Sequence, residues 1–249
     1  MNWTVQEVLQ ATGGRSGLDP ATILTKVSTD SRNIQPGALF VALRGENHDG
    51  HDYVAQALSL GAAAALVVHP VHGTTTDLLI EVDDPQFALG DLAAWTRRRV
   101  DMRVVAITGS AGKTTTKELT AAVCREASGA AVLKTEGNYN NLIGLPLTIL
   151  GMKGDESIAV LEMGMNRPGE IARLTEIARP DFAAVTNIGK AHLEGVGGTI
   201  EGVAAAKGEL FAGLNEHAVI AVNSDDEWVC RIAGEFHGRR VFYGTRGDV

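Results

Sequence analysis

The sequence has few cysteines, few aromatic side chains and no long apolar run. It contains two cysteines among 249 residues, and 5% of its residues are aromatic. Two isolated cysteines are too few for a disulfide framework, which indicates a reducing compartment. No apolar stretch reaches the roughly 18–20 residues of a membrane span, and the first residues lack the apolar core of a signal peptide. We therefore expect a cytoplasmic protein without a membrane span.

The sequence also lacks an excess of basic charge. It has 22 lysines and arginines against 30 aspartates and glutamates, which gives a formal net charge of -8. An acidic chain without a basic stripe is a poor partner for nucleic-acid phosphates, so we expect no nucleic-acid binding. The longest basic run, 97–99, ends a predicted helix, where cations suit the helix dipole.

The chain has enough length and apolar content for a sizeable core. With 45% hydrophobic residues over 249 positions, one or two domains are expected. Residues 1–82 are predicted to form a small mixed α/β domain. Its clearest elements are a strand, a helix and a second strand: 38–43, 53–60 and 65–68. A helix that begins at Asp84-Pro85 is predicted to connect this domain, over residues 83–101, to the rest of the chain.

From residue 103 onward, short apolar strands alternate with helical patterns, which predicts βαβ units and a mostly parallel sheet. The predicted strands are 103–108, 158–163, 182–186, 218–222 and 240–243. The predicted helices are 114–127, 168–178, 199–212 and 225–234. The fold class is therefore α/β, with the small mixed domain followed by a P-loop-type, mostly parallel sheet domain, flanked by helices, over 102–249.

A glycine-rich turn after the first of these strands carries the sharpest functional signal. It reads Thr108-Gly109-Ser110-Ala111-Gly112-Lys113-Thr114-Thr115-Thr116. Glycines let backbone N–H groups approach an anion, and a helix N-terminus adds its positive dipole end. In a phosphate loop the lysine reaches the β- and γ-phosphates, and the following threonine hydroxyl binds Mg²⁺. The spacing departs from the common P-loop, because the first glycine would fall at Ile107.

Three further polar residues are candidates for the same site. Glu162 ends an apolar strand, where P-loop folds place a carboxylate that faces the metal of the nucleotide. His192 lies in a loop after a strand, where open α/β sheets bind ligands. Lys207 lies within a predicted helix. On spacing alone, we favour a surface glutamate, a plain loop histidine and a solvated helix lysine over these functional roles.

The segment His48-Asp49-Gly50-His51-Asp52 places two histidines and two aspartates within five residues. Its spacing fits no compact zinc pattern. We favour a loop that contacts substrate, with a metal site as the alternative.

Together these motifs resemble the Mur ligases, the ATP-dependent amide-forming enzymes of peptidoglycan synthesis. The loop 108–116 is similar to the shortened phosphate loop of that family, which accounts for the departure at Ile107. Residues 29–32 and 36–43 resemble the domain of the family that binds the UDP substrate. Other stretches are most similar to the members that add D-alanyl-D-alanine to UDP-N-acetylmuramoyl-tripeptide: 135–146, 162–170 and 187–195.

The resemblance implies a role for each candidate residue. Thr114 and Glu162 would hold the Mg²⁺ of ATP, and His192 a second Mg²⁺. Lys207 matches a family lysine that is typically carbamylated and then helps to bind the second ion. The implied catalytic residues are Lys113, Glu162, His192 and Lys207. The implied nucleotide-binding residues are Gly109, Ser110, Ala111, Gly112, Lys113, Thr114, Thr115, Asn138, Asn141 and Asn187. The residues implied near the uridine diphosphate sugar are Ser31, Arg32, Asn47 and His51.

The resemblance also implies the reaction. ATP would phosphorylate the tripeptide carboxylate to an acyl phosphate, and the amine of D-alanyl-D-alanine would displace phosphate. Two anions meet in the first step, so cations and a lysine are expected to crowd the site. We expect a monomer.

The length of the chain leaves alternatives open. Members of the family have three domains, which at about 150 residues each requires roughly 450. We therefore expect the carboxy-terminal domain to be absent, and a nucleotide-binding module without turnover is one alternative. Another ligase of the family, such as the one that adds the third peptide residue, is a second. Folylpolyglutamate synthetase is disfavoured, because it lacks the UDP domain that residues 29–43 resemble.

Overall fold

The computed structural model describes residues 1–190 and 193–245. The chain divides into two compact units. The first comprises Met1–Arg98 and Ile149–Gly154, and the second comprises Arg99–Thr148 and the chain from Asp155 onward. Within the described ranges, every helix is too short or too polar to cross a membrane.

The first unit contains a five-stranded sheet and a two-stranded ribbon. In chain order the elements are β1 (Trp3–Thr4), α1 (Val5–Thr12), β2 (Arg15–Ser16), β3 (Ile23–Leu24), β4 (Lys26–Ser28), β5 (Ala38–Val41), α2 (Val54–Ser59), β6 (Ala64–Val67), β7 (Leu79–Glu81) and α3 (Pro85–Arg97). The large sheet has the order β2-β7-β6-β5-β4 and is parallel except at β2, and β1 pairs with β3.

The core of this unit lies around β5 and β6, in which every residue is buried. Continuous apolar strands of this kind are typical of parallel sheets that are covered on both faces. One cover includes α2, whose Val54 and Ala57 join the same cluster as Phe40 and Val67. The two strands predicted here and the helix between them are confirmed.

The helix α3 begins as the Asp84-Pro85 pair predicts. Asp84 accepts hydrogen bonds from the N–H groups of Gln86 and Phe87, and Pro85 occupies the first turn, where a missing N–H costs nothing. The helix packs on α1, and Trp3 Nε1 donates to Thr96 Oγ1 at 2.9 Å. The helix predicted as a connection is thus part of the packing of the first unit.

The second unit is built on a six-stranded sheet in which all neighbours are parallel. In chain order the elements are β8 (Arg103–Thr108), α4 (Lys113–Ser128), β9 (Ala131–Lys134), α5 (Gly144–Leu150), β10 (Glu156–Glu162), α6 (Glu170–Ala178), β11 (Phe182–Val185), α7 (Ile200–Ala212), β12 (Val219–Asn223), α8 (Glu227–Ala233) and β13 (Arg239–Tyr243). The strand order in the sheet is β13-β12-β11-β8-β10-β9. The last residues of α5 belong to the first unit.

Every strand and helix predicted for the second unit forms, with ends shifted by at most two residues. Two elements of the second unit, β9 and α5, are not predicted by the sequence patterns. The strand β9 has only four residues. The helix α5 contains Pro146, which is tolerated because it lies in the first turn.

The strand order indicates where a functional site lies. After β8 the chain forms β9 and β10, which lie on one side of β8 within the sheet. It then forms β11, which pairs with β8 on the other side. Ligands bind at such a switch point, beyond the carboxyl ends of parallel strands. The loops that follow β8, β10 and β11 meet there.

Candidate nucleotide site

The loop between β8 and α4 has a positive φ at two positions, which glycine adopts without strain. Gly109 has φ +148°, and a Cβ atom there would overlap the Thr186 hydroxyl. Gly112 has φ +79° and precedes the first residue of α4. Since glycine has no capping side chain, the first N–H groups of the helix stay open to an anion.

The end of β11 holds this loop in place. The Asn187 side chain accepts from Ala111 N–H and donates to Ala111 O, both at 3.0 Å. Thr186 Oγ1 donates to Ala111 O at 2.7 Å, and Ser110 N–H donates to Asn187 O at 3.0 Å. Gly189 N–H donates to Ser110 Oγ at 2.8 Å. Asn187, predicted to contact the nucleotide, here shapes the loop that would do so.

Lys113 and Thr114 open α4 at the mouth of the loop. The Lys113 amine donates to Gly109 O at 2.8 Å and is half-buried. Thr114 Oγ1 donates to Glu162 Oε2 at 2.9 Å. The first two helical residues therefore turn their polar atoms toward the loop and toward the end of β10. Thr115, the next predicted contact, is exposed.

Glu162 is a buried carboxylate with defined partners. Its side chain is 2% exposed, so the surface-glutamate alternative is wrong. A buried carboxylate needs hydrogen bonds or an ion pair to offset the loss of its hydration. Thr114 satisfies one oxygen, and Asn140 Nδ2 donates to the other at 2.8 Å. The backbone N–H of Glu162 donates to Thr135 Oγ1 at 2.9 Å.

The Thr114 and Glu162 oxygens fit a Mg²⁺ ion. Both are hard oxygen donors. Two neighbouring ligands of an octahedral Mg²⁺ at 2.0–2.1 Å lie about 2.9 Å apart, so the 2.9 Å hydrogen bond between these atoms leaves them close enough to bind one ion together. Mg²⁺ usually takes one or two carboxylates and completes its shell with water and substrate phosphates. No group of three or more His, Cys, Asp or Glu residues arranged to hold a metal occurs in the described ranges.

Lys207 lies inside the unit and is not solvated. It is 1% exposed on α7, so the solvated-lysine alternative is wrong. Burial and the charge of Lys113 lower the pKa of Lys207 to about 8. Within residues 1–190 and 193–245 its amine has no hydrogen-bond or ion-pair partner. His192, predicted to share the second ion with Lys207, lies outside the described residues.

The asparagine run before α5 contributes a residue that sequence reasoning missed. Asn138 is exposed, and Asn141 Oδ1 caps α5 by accepting from the Ile143 and Gly144 N–H groups. Asn140 is the member of the run that reaches Glu162. The sequence shows three asparagines within four positions, but only the path of the chain selects one of them.

The candidates for the uridine diphosphate sugar lie in the first unit. Ser31 is buried and donates to Gln56 Oε1 at 3.2 Å. Arg32 is exposed and forms a bidentate pair with Asp30, which lowers the pKa of Asp30 to about 2. Asn47 is exposed.

His51, the fourth of these candidates, is committed to the fold. It is 6% exposed, and its Nε2 accepts from Val68 N–H at 3.0 Å. Its Nδ1 therefore carries the proton and donates to Asp49 Oδ1 at 2.6 Å. A hydrogen bond from the His51 backbone N–H, together with this side-chain pairing, holds the pKa of Asp49 well below its usual range. With both nitrogens occupied, the ring is not available to a metal, so the metal alternative for residues 48–52 gains no support.

Two family models match the chain. The model described as "Mur ligase middle domain" matches residues 107–249, and "Mur ligase family, catalytic domain" matches residues 24–97. A curated relative from Escherichia coli (strain K12), UDP-N-acetylmuramoyl-tripeptide--D-alanyl-D-alanine ligase, is 46% identical over 207 residues. That alignment covers 83% of this chain and 45% of the relative.

Solved structures agree with these matches. A crystal structure of MurF from Acinetobacter baumannii superposes with a TM-score of 0.91 at 34% identity, over 100% of this chain and 55% of that chain. The MurF ligase from Thermotoga maritima, in complex with ADP, gives 0.82 at 36% identity, over 90% of this chain and 51% of that chain. The chain thus spans about half the length of these relatives. Because the middle-domain model alone matches more than half of its residues, the chain belongs to the Mur ligase family.

Proposed function

We propose that the chain is part of an ATP-dependent ligase that joins D-alanyl-D-alanine to UDP-N-acetylmuramoyl-tripeptide. The observation that carries the proposal is the pair Thr114 and Glu162, whose oxygens lie 2.9 Å apart beside a glycine loop and a helix N-terminus. Relatives that carry the name of this ligase, at 46% and 42% identity, support the choice of substrates. The ADP complex of the Thermotoga maritima relative supports the nucleotide.

The residues of the loop have separate tasks in this proposal. The open N–H groups at the start of α4 and the Lys113 amine bind the phosphates, because they place positive charge at the end of the loop. Thr114 and Glu162 hold Mg²⁺, with Asn140 fixing the orientation of the carboxylate. When bound, the ion neutralises charge on the phosphates and so helps the tripeptide carboxylate to approach.

The proposed reaction has two steps, a phosphoryl transfer and an acyl substitution. The tripeptide carboxylate takes the γ-phosphoryl group of ATP, which gives an acyl phosphate and ADP. The amine of D-alanyl-D-alanine then attacks the acyl carbon, loses a proton and expels phosphate. Lys113 lies where negative charge builds up in the first step, so its contribution is electrostatic.

Lys207 is proposed to carry a carbamate. A neutral lysine amine adds to CO₂ and releases a proton, and burial favours the neutral form of this amine. The carbamate would supply oxygen ligands for a second Mg²⁺ and would pair with the nearby charge of Lys113. Carbon-13 NMR with labelled bicarbonate tests this: a carbamate resonance that is missing in Lys207→Ala is expected. A spectrum of the intact protein without it contradicts the assignment.

Calorimetry on the 249-residue chain tests the function as a whole. The chain is titrated with ADP in the presence of Mg²⁺, and separately with UDP-N-acetylmuramoyl-tripeptide and the matching UDP-N-acetylmuramoyl-dipeptide. We expect ADP to bind and the tripeptide compound to bind more tightly than the dipeptide one. Preference for the dipeptide would indicate another step of the family. Absence of ADP binding would contradict the proposal.

A further inference from the structure

Lys117 is a buried lysine that none of the roles above uses. It lies on α4, four residues after Lys113, and is 1% exposed. Its amine donates to the backbone carbonyl of Thr135 at 2.6 Å and pairs with Glu118 at 2.9 Å. Burying an ammonium group is expensive. The cost is offset here by two short contacts, one of which leads toward the nucleotide site.

The contacts of Lys117 form a closed circuit through the candidate metal site. Thr135, which accepts from Lys117, also accepts from the Glu162 N–H through its Oγ1 at 2.9 Å. The backbone N–H of Thr135 donates to Val160 O at 3.2 Å. Glu162 in turn accepts from Thr114, which lies on α4 three residues before Lys117. The circuit begins and ends on the same helix.

Lys117 also makes an ion pair that is not part of the circuit. Glu118 bridges Lys117 and Lys134, with its second oxygen 2.7 Å from the Lys134 amine. Hydrogen bonds from Lys134 and Lys117 lower the pKa of Glu118 to about 2, so the bridge is charged at neutral pH. This bridge ties α4 to the end of β9, immediately before Thr135.

We propose that Lys117 is a positioning residue that holds Glu162 in register with Thr114 through the carbonyl and the hydroxyl of Thr135. The helix that presents the phosphate-binding groups thereby also sets the place of the metal-binding carboxylate. The inference deepens the proposed function and rests on it. It assigns Lys117 no contact with the nucleotide.

The inference predicts a specific loss in Lys117→Met, which keeps the apolar stem and removes the amine. Groups that orient metal ligands typically contribute 10–100-fold to metal affinity. We therefore expect the gain in ADP affinity that Mg²⁺ provides to fall by about tenfold or more, while ADP affinity in EDTA stays within about twofold of the parent. Lys117→Arg, which retains a donor, should recover part of the gain.

Glu118→Gln is the matched control. It removes the charged bridge but leaves the bond from Lys117 to Thr135, so the gain from Mg²⁺ should equal that of the parent. Calorimetry with ADP, in Mg²⁺ and in EDTA, measures this gain for the parent 249-residue chain and for each variant. A folded Lys117→Met with the full gain overturns the inference. Equal losses in Mg²⁺ and in EDTA also overturn it, because they indicate a structural role alone.

If Lys117→Met does not fold, Thr135→Val tests the same circuit. It removes the hydroxyl that accepts from Glu162 and retains the carbonyl that accepts from Lys117. A reduced gain from Mg²⁺ supports the circuit, and an unchanged gain overturns it. A parent chain that binds no ADP, or gains nothing from Mg²⁺, refutes the proposed nucleotide site itself, which separates the two failures.

Discussion

The Thr114 hydroxyl and the Glu162 carboxylate lie 2.9 Å apart, although 48 positions separate them in the chain. The parallel sheet brings them together: β10 pairs with β8, and Glu162 stands opposite Ile107. The end of β10 therefore lies beside the start of the glycine loop. This is how a strand carboxylate and a helix hydroxyl come to share one candidate metal site.

Lys113→Ala should weaken ADP binding sharply. The amine is the point charge at the mouth of the loop, and hydrogen bonds to charged groups contribute about 1.5–3 kcal/mol. This corresponds to roughly a 10–100-fold rise in the dissociation constant. Lys113→Arg should also bind poorly, because a planar guanidinium does not replace a compact ammonium. Calorimetry checks both, with Lys26→Ala, an exposed site in the first unit, as the control. Unchanged affinity in Lys113→Ala would remove this residue from the site.

Gly109→Ala should destabilise the second unit. The new Cβ would overlap the Thr186 hydroxyl at a backbone angle of φ +148°. Overpacking of this kind costs about 1–3 kcal/mol. Gly189→Ala is the control in the neighbouring loop, because its Cβ would meet Ser110 at an ordinary 3.5 Å. Urea denaturation should show a lower midpoint for the first variant only; equal midpoints would mean that the loop is less constrained than described.

Lys207→Met should be stabilising at neutral pH and lose this advantage at high pH. The pKa of Lys207 is about 8 in the folded protein, against an ordinary value of 10.5. Between these values the unfolded chain binds the extra proton, so the stability of the parent rises with pH. Below pH 8 both states are charged and the burial penalty is complete, at up to about 3 kcal/mol.

Denaturation of parent and variant from pH 7 to pH 11, in buffer free of CO₂, measures this difference. It should be largest below pH 8 and shrink toward pH 10.5. A difference that does not vary with pH would show that the amine is solvated in the folded state.

His51→Ala should cost stability in the first unit, whereas Asn47→Ala should not. Removing the ring leaves the Val68 N–H without its acceptor, which costs about 1–3 kcal/mol. Asn47 is exposed, so its truncation should change stability by less than about 0.5 kcal/mol. If Asn47 contacts the uridine diphosphate sugar, as the family resemblance implies, titration with UDP will show weaker binding for Asn47→Ala. A stable His51→Ala that no longer binds UDP would instead make His51 a ligand.

The sequence predicts the second unit well and the first unit less well, for a physical reason. Apolar strands of five to seven residues and helices of two to four turns carry a clear period, and the second unit consists mostly of these. The first unit contains several strands of two or three residues, such as β1, β2 and β3. Strands of that length are too short to show an alternation.

The sequence likewise predicts some residues of the candidate site and not others. The glycine loop, Lys113 and Thr114 form a continuous motif, so one stretch of sequence predicts all of them. Asn140 and Lys117 act through partners that are distant in the chain, Glu162 and Thr135. Their roles depend on which strands are neighbours, and this information is not present in local spacing.

The central claim is that Thr114 and Glu162 hold Mg²⁺ beside the nucleotide, and calorimetry on Glu162→Gln tests it most directly. The substitution preserves the size of the side chain and removes its charge. ADP affinity is measured in Mg²⁺ and in EDTA for the parent and the variant. The account predicts that Mg²⁺ strengthens ADP binding to the parent and not to Glu162→Gln, while the affinities in EDTA agree. An undiminished gain from Mg²⁺ in Glu162→Gln would contradict it.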